Sequence, residues 1–188
     1  MELTLYSLND YIRLLEGEGL LAAPAPAGLD PDRTVELVTC SSQECVPGTL
    51  FIRKGAHFRP EYLADAGRRG AFAYVSDAPD PAAGLPCIQV NDLRRAMALL
   101  AVRYYNDPSR DLSVIGITGT KGKSSTAYYV KAILDRYLAP TGKHCGVISS
   151  IDTYDGAEEF ESHLTTPEPR ELQRHLANAR AAGLGYVV

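Results

Sequence analysis

Apolar positions recur along the chain in two rhythms. Leu93, Ala96, Met97, Leu100, Ala101 and Tyr104 fall at i, i+3, i+4, i+7, i+8 and i+11, one face of an amphipathic helix over about 92–105. Ser7 and Asp10, followed by Tyr11, Ile12 and Leu15, predict a capped first helix running to Gly17 or Gly19. Pro60 opens another helix that stops near Gly67 or Gly70. Between these lie short apolar runs of strand character at 35–39, 49–52, 71–76 and 87–90, separated by the proline- and alanine-rich loops 22–32 and 77–86.

The breaker cluster Asn106-Asp107-Pro108-Ser109 predicts a domain boundary near residue 110, dividing 1–110 from 111–188. Beyond it, 113–118 reads as a buried strand leading into a glycine-rich turn. A helix then follows, with an apolar face of Val130, Ile133, Leu134, Tyr137 and Leu138. The run 145–151 predicts a further strand, and Asp155-Gly156 a turn between short extended pieces. Thr165-Thr166-Pro167-Glu168 predicts a helix start: a hydroxyl cap, a first-turn proline, and an acid facing the positive helix end. Leu172, Leu176 and Ala179 share a face of that helix, Gly183 ends it, and Tyr186-Val187-Val188 reads as a strand. The fold class expected is α/β: a small N-terminal α/β domain, then the start of a P-loop-type parallel α/β domain. A parallel domain of about 75 residues buries little surface, so the chain is expected to be the front part of a longer protein.

Composition narrows the function classes. The 188 residues are 45% hydrophobic and 22% charged, which excludes a wholly disordered chain. Lys+Arg 19 against Asp+Glu 23 gives −4, so no general basic field draws in nucleic acid or anionic lipid. The longest apolar run, Ala96 to Val102, is far short of the roughly 20 residues of a membrane span, and the N-terminus lacks the pattern of a secretory signal. Cys40, Cys45, Cys87 and Cys145 form no CxxC pair, and His57, His144, His163 and His175 have no metal-finger spacing. Reduced thiols in a cytoplasmic protein are expected.

The sharpest chemical signal is Gly116-Ile117-Thr118-Gly119-Thr120-Lys121-Gly122-Lys123-Ser124-Ser125, placed between a predicted strand and a predicted helix. Glycines allow backbone N–H groups to converge on one cavity, and the helix N-terminus adds partial positive charge. Lys123 is placed to reach the β- and γ-phosphates of ATP, and the Ser124 hydroxyl to ligate Mg²⁺. The loop departs from the general G-x4-G-K-[ST] pattern: its first glycine would fall at 117, which is Ile117.

This variant resembles the ATP-binding loop of the Mur ligase family, G-x-x-G-T-x-G-K-[ST], matched by Gly116, Gly119, Thr120, Gly122, Lys123 and Ser124. Residues 39–52 are similar to the N-terminal uridine-nucleotide segment of muramyl ligases, with Ser41 and Gln43 in place of the usual Asp and Arg. Leu164-Thr165-Thr166-Pro167-Glu168 resembles the substrate-binding helix start of the tripeptide synthetase (MurE-type) branch. The resemblance implies an ATP-dependent amide ligase of peptidoglycan precursor synthesis. It would add lysine or diaminopimelate to UDP-N-acetylmuramoyl-L-alanyl-D-glutamate through an acyl phosphate.

Implied site residues are Lys123 as catalytic, and Gly119, Thr120, Lys121, Gly122, Lys123, Ser124 and Ser125 around ATP. Ser124 is implied at Mg²⁺, and Ser42, His57, Thr165 and Thr166 at the muramyl-peptide substrate. Thr165 and Thr166 also read as helix caps alone, Ser42 as a turn former, and His57 as a surface loop residue. A monomer is expected, and turnover is expected to need the residues beyond 188. Two other readings stay open: a poly-γ-glutamate or cyanophycin synthetase of the same superfamily, and a nucleotide-binding module without ligase chemistry.

Overall fold

The computed structural model describes residues 3–55, 58–162 and 166–188. His57, His163 and Thr165 therefore lie outside the described residues. The chain divides into two compact units, Leu3–Tyr104 and the segment from Tyr105 to Val188.

The first unit opens with β1 (Tyr6–Ser7) and α1 (Leu8–Gly17), then β2 (Thr34–Val35), which pairs antiparallel with β1. Ser7 caps α1 in a reciprocal box: its hydroxyl accepts from Asp10 N–H, and its own N–H donates to the Asp10 carboxylate at 2.9 Å. Next come β3 (Leu37–Thr39), β4 (Thr49–Ile52), α2 (Pro60–Arg68), β5 (Ala71–Ser76), β6 (Cys87–Gln89) and α3 (Leu93–Tyr104). The four strands β3-β4-β5-β6 form one parallel sheet.

Side-chain alternation along these strands divides the core in two. Leu50, Ile52, Ala73, Val75 and Ile88 face α1 and α3, where Leu8, Tyr11, Leu15, Ala96 and Leu100 meet them. Phe51 and Tyr74 face the other way, onto Leu63 and Ala66 of α2, and a register irregularity at the start of β5 turns Ala71 to the same side. Every residue of β4 is buried, which is why it reads as a continuous apolar run rather than an alternating one. Gly70, at φ +108, enters β5 so close to Pro47 that a Cβ would sit 2.6 Å from the Pro47 Cα. Only glycine fits this approach.

The second unit contains β7 (Ser113–Val114), α4 (Lys123–Leu138), β8 (Val147–Ile148), β9 (Asp152–Tyr154), β10 (Glu159–Glu161), α5 (Pro169–Ala181) and β11 (Tyr186–Val187). β7 and β11 pair in parallel, Ser113 with Tyr186 and Val114 with Val187. Ile148 N–H donates to the Val188 carbonyl, bringing β8 alongside, and β8-β9-β10 continue as an antiparallel meander.

Three expectations are corrected here. The strand predicted over 113–118 ends at Val114, which is exposed, because the chain then turns away into the glycine-rich loop. The apolar face of α4 is Ala127, Val130, Leu134 and Leu138, whereas Ile133 and Tyr137 join Tyr129 on a neighbouring stripe about 70% exposed. Finally, α5 starts at Pro169 with Glu168 as its N-cap and no side-chain cap bond, so Thr166 precedes the helix rather than capping it.

The hairpin between β9 and β10 is fastened to α5 through a buried carboxylate. Asp155 Oδ1 accepts from the N–H of Ala157 (3.0 Å) and Glu158 (2.7 Å). Its Oδ2 accepts from Asn178 Nδ2 (2.9 Å) and from His175 Nδ1 (2.6 Å), which therefore carries the proton. Burial alone would raise the Asp155 carboxyl pKa. The donors from His175, Asn178 and the Glu158 and Ala157 backbone outweigh it and hold the pKa below the ordinary value.

Candidate functional site

The glycine-rich loop leads from β7 to the N-terminus of α4. Gly122 sits at the helix N-cap with φ +78, a left-handed conformation that favours glycine, and its carbonyl accepts from Thr126 N–H at 2.9 Å. By helix geometry the first N–H groups of α4 have no intrahelical acceptor and point out of the helix end. Lys123 Nζ donates to the Gly119 carbonyl at 2.8 Å, so the ammonium lies over the loop's own backbone. Ser124 Oγ lies 3.2 Å from Ser150 Oγ, in the segment that follows β8.

These groups border a cavity of about 270 Å³. Lys123 and Ser124 stand on one side, Ser149 and Ser150 at the end of β8, and Thr166 and Pro167 just ahead of α5. The rest is apolar: Ile115, Ile117, Leu172, Leu176 and Val187 among others. Thr166 thus shares one cavity with Lys123 and Ser124, although more than 40 residues separate them in sequence. Gly119, Thr120, Lys121, Gly122 and Ser125 are exposed and lie outside its lining, along the open face of the loop.

Ser42 belongs to the first unit. It is buried at the start of a short 3₁₀ turn over Ser42–Glu44. Its hydroxyl bonds the Asp65 carboxylate. Desolvation would raise the Asp65 pKa, but this bond and those from Arg69 and Arg68 hold it below the ordinary range. Ser42 forms the turn through its backbone, its carbonyl accepting from Cys45 N–H at 3.3 Å, while its hydroxyl ties the turn to α2.

Sequence reasoning missed two features. Ser150 reaches Ser124 only because β8 ends beside the loop, and its one signal was a pair of hydroxyls closing a predicted strand. The Asp155–His175 pair also went unread. With Glu158 these residues bring three potential ligand atoms within 4.8 Å of one another. His175 Nδ1 already bonds Asp155 Oδ2, and the Glu158 carboxylate is paired with Arg174, so the cluster is a structural fastening.

A description of the donor set as a phosphate cradle is supported by its chemistry: one ammonium, converging hydroxyls, a positive helix end and glycines that leave the backbone bare. Comparisons with known proteins show what the chain is similar to. The Mur ligase middle domain family model matches residues 117–188. A UDP-N-acetylmuramyl-tripeptide synthetase of Lactobacillus delbrueckii subsp. bulgaricus is 38% identical over 187 residues, covering 97% of this chain and 35% of that protein. One from Bifidobacterium longum is 36% identical over 197 residues, covering 100% of this chain and 37% of its own length. The UDP-N-acetylmuramoyl-L-alanyl-D-glutamate--L-lysine ligase of Enterococcus faecalis is 38% identical over 157 residues, covering 83% and 30%.

Among solved structures, a UDP-N-acetylmuramoyl-L-alanyl-D-glutamate--2,6-diaminopimelate ligase superposes with TM-score 0.69 at 16% identity, covering 98% of this chain and 35% of that one. MurF from Acinetobacter baumannii gives 0.58 at 17% identity, covering 100% and 36%, so these two likenesses are of fold. The chain spans about a third of the length of the curated relatives it matches. Its loop variant, its α/β architecture and the relatives aligned along nearly its whole length lead to one conclusion: residues 117–188 match the Mur ligase middle domain, and the chain is similar nearly throughout to a third of a Mur ligase.

Proposed function

We propose that this chain forms the phosphate-gripping part of an ATP-dependent ligase of peptidoglycan precursor synthesis. That ligase would join lysine or diaminopimelate to UDP-N-acetylmuramoyl-L-alanyl-D-glutamate. The observation that carries the reading is the shared cavity, with Lys123 and Ser124 on one wall and Thr166 on another. Activation of a carboxylate by ATP requires the terminal phosphate and the carboxylate to meet in one place. A cavity bordered by both sets of residues supplies that place.

The residues present fit ATP and Mg²⁺. When bound, the nucleotide supplies the phosphoryl group that turns a poor acylating agent into a reactive one, and Mg²⁺ neutralises its charge. The chain's own residues do the positioning. Loop amides from Gly119 to Ser125 and the α4 end hold polyphosphate oxygens, and Lys123 transfers its hydrogen bond from the Gly119 carbonyl to a phosphate. Ser124 offers its hydroxyl to the metal. Thr120 and Lys121 line the open side of the loop, where they contact phosphate or shield it from water. Thr166, and Thr165 beside it in sequence, offer hydroxyls to the muramyl peptide. The apolar walls exclude water that would hydrolyse an activated carboxylate.

We assign the unit Leu3–Tyr104 to the uridine nucleotide, with Ser42 and His57 as its contacts. This rests on the names of the relatives and on the segment 39–52. No helix among the described residues is long and apolar enough to cross a membrane. We expect a cytoplasmic enzyme acting as a monomer on a diffusible substrate.

The test is an assay of the full-length gene product with UDP-N-acetylmuramoyl-L-alanyl-D-glutamate, ATP, Mg²⁺ and a panel of amino acids. The expected result is release of phosphate that depends on both the nucleotide-linked peptide and one diamino acid. Phosphate release indifferent to either, or activity only with a polyglutamate or polyaspartate acceptor, overturns the reading.

A further inference from the structure

Ser149 and Ser150 both border the cavity, but their hydroxyls do different things. Ser149 is spent on its own turn: its Oγ donates to the Asp152 carbonyl at 3.1 Å and accepts from the N–H of Ile151 (3.1 Å) and Asp152 (3.2 Å). Ser150 is directed away from that turn, with its Oγ 3.2 Å from Ser124 Oγ. In the free protein either hydroxyl can donate. A cation at Ser124 removes this symmetry. A hydroxyl that gives a lone pair to a divalent metal must send its proton elsewhere, and it is a better ligand when an acceptor holds that proton. Among the described residues that line the cavity there is no side-chain carboxylate to serve, and Ser150 Oγ already stands within reach.

We infer that Ser150 is a positioning residue. It accepts the Ser124 proton, fixes the Ser124 lone pair toward the metal, and so strengthens binding of the magnesium–nucleotide complex specifically. The inference rests on the phosphate-loop reading above and deepens it by naming the group behind the metal ligand.

The test uses the full-length gene product with ATP in calorimetric titrations, once with excess Mg²⁺ and once with EDTA. Ser150→Ala is expected to weaken binding about tenfold in Mg²⁺ while leaving the EDTA affinity and thermal midpoint near wild type. Ser150→Thr, which keeps the hydroxyl, is expected to retain the Mg²⁺ advantage. Ser150→Cys, close in size but a weak acceptor, should behave like alanine even if alanine loosens the turn.

Equal losses in Mg²⁺ and EDTA would show a purely structural role and overturn the inference, as would unchanged binding in Mg²⁺. Lys123→Ala separates the two levels of failure. If it loses affinity while Ser150→Ala does not, the Ser150 role alone is wrong. If neither the wild type nor the variants bind ATP, the phosphate-loop reading falls and takes the Ser150 role with it.

Discussion

Lys123 has a choice of acceptors. Without nucleotide its ammonium rests on the Gly119 carbonyl, a neutral oxygen; a phosphate offers a charged one and a stronger bond. Lys123→Ala is therefore expected to cost about 1.5–3 kcal/mol of ATP binding, roughly ten- to hundredfold in Kd by titration. Gly122 works through its backbone: at φ +78, Gly122→Ala is expected to lower stability by about 1–2 kcal/mol, read from denaturant midpoints.

Asp155 gives a pH prediction. Its folded pKa lies below the ordinary 3.8, so its stabilisation is complete above that value and is lost as pH falls through the folded pKa. Asp155→Asn keeps an acceptor for the two backbone N–H groups but loses the charged partner of His175. It should cost about 2 kcal/mol at neutral pH and flatten the acid limb of the stability profile. The phosphate loop was legible from sequence because its chemistry is local and contiguous. The Asp155–His175 pair was not, since only the docking of a hairpin on α5 brings residues 20 positions apart together.

At the scale of elements, periodicity located the helices well and their buried faces less well. In α4 the pattern put Ile133 and Tyr137 in the core because they sit near Val130 and Leu134 on the helical wheel. The small sheet beside the helix covers only the stripe from Ala127 to Leu138. Leu138→Ala is accordingly expected to cost about 2–3 kcal/mol and Ile133→Ala less than about 0.5, measured by chemical unfolding.

The start of α5 carries a sharper distinction. Were Thr166 a cap, its loss would cost about 1 kcal/mol of stability. With Glu168 at the N-cap and Thr166 on the cavity wall, Thr166→Ala should leave the thermal midpoint nearly unchanged and weaken muramyl-peptide binding several-fold in the full-length enzyme. Two prolines, Pro167 and Pro169, both fit a first turn by residue type. Only the backbone path decides which one opens the helix.

For the whole molecule, α/β alternation predicted the class of both units, and strand runs such as Thr49–Ile52 and Ala71–Ser76 were found at the expected positions. The pairings were less legible. Nothing local says that β11 lies beside β7, or that β8 ends next to the loop; these follow from long-range closure of the second unit. That closure makes the site, since it carries Ser150 and Thr166 to Lys123. The most direct measurement is a crystal structure of the chain soaked with a non-hydrolysable ATP analogue and Mg²⁺. The account predicts β- and γ-phosphates against the amides of Gly119 to Ser125, with Lys123 Nζ moved off the Gly119 carbonyl onto phosphate. An analogue bound elsewhere, with Lys123 still on Gly119, would contradict it.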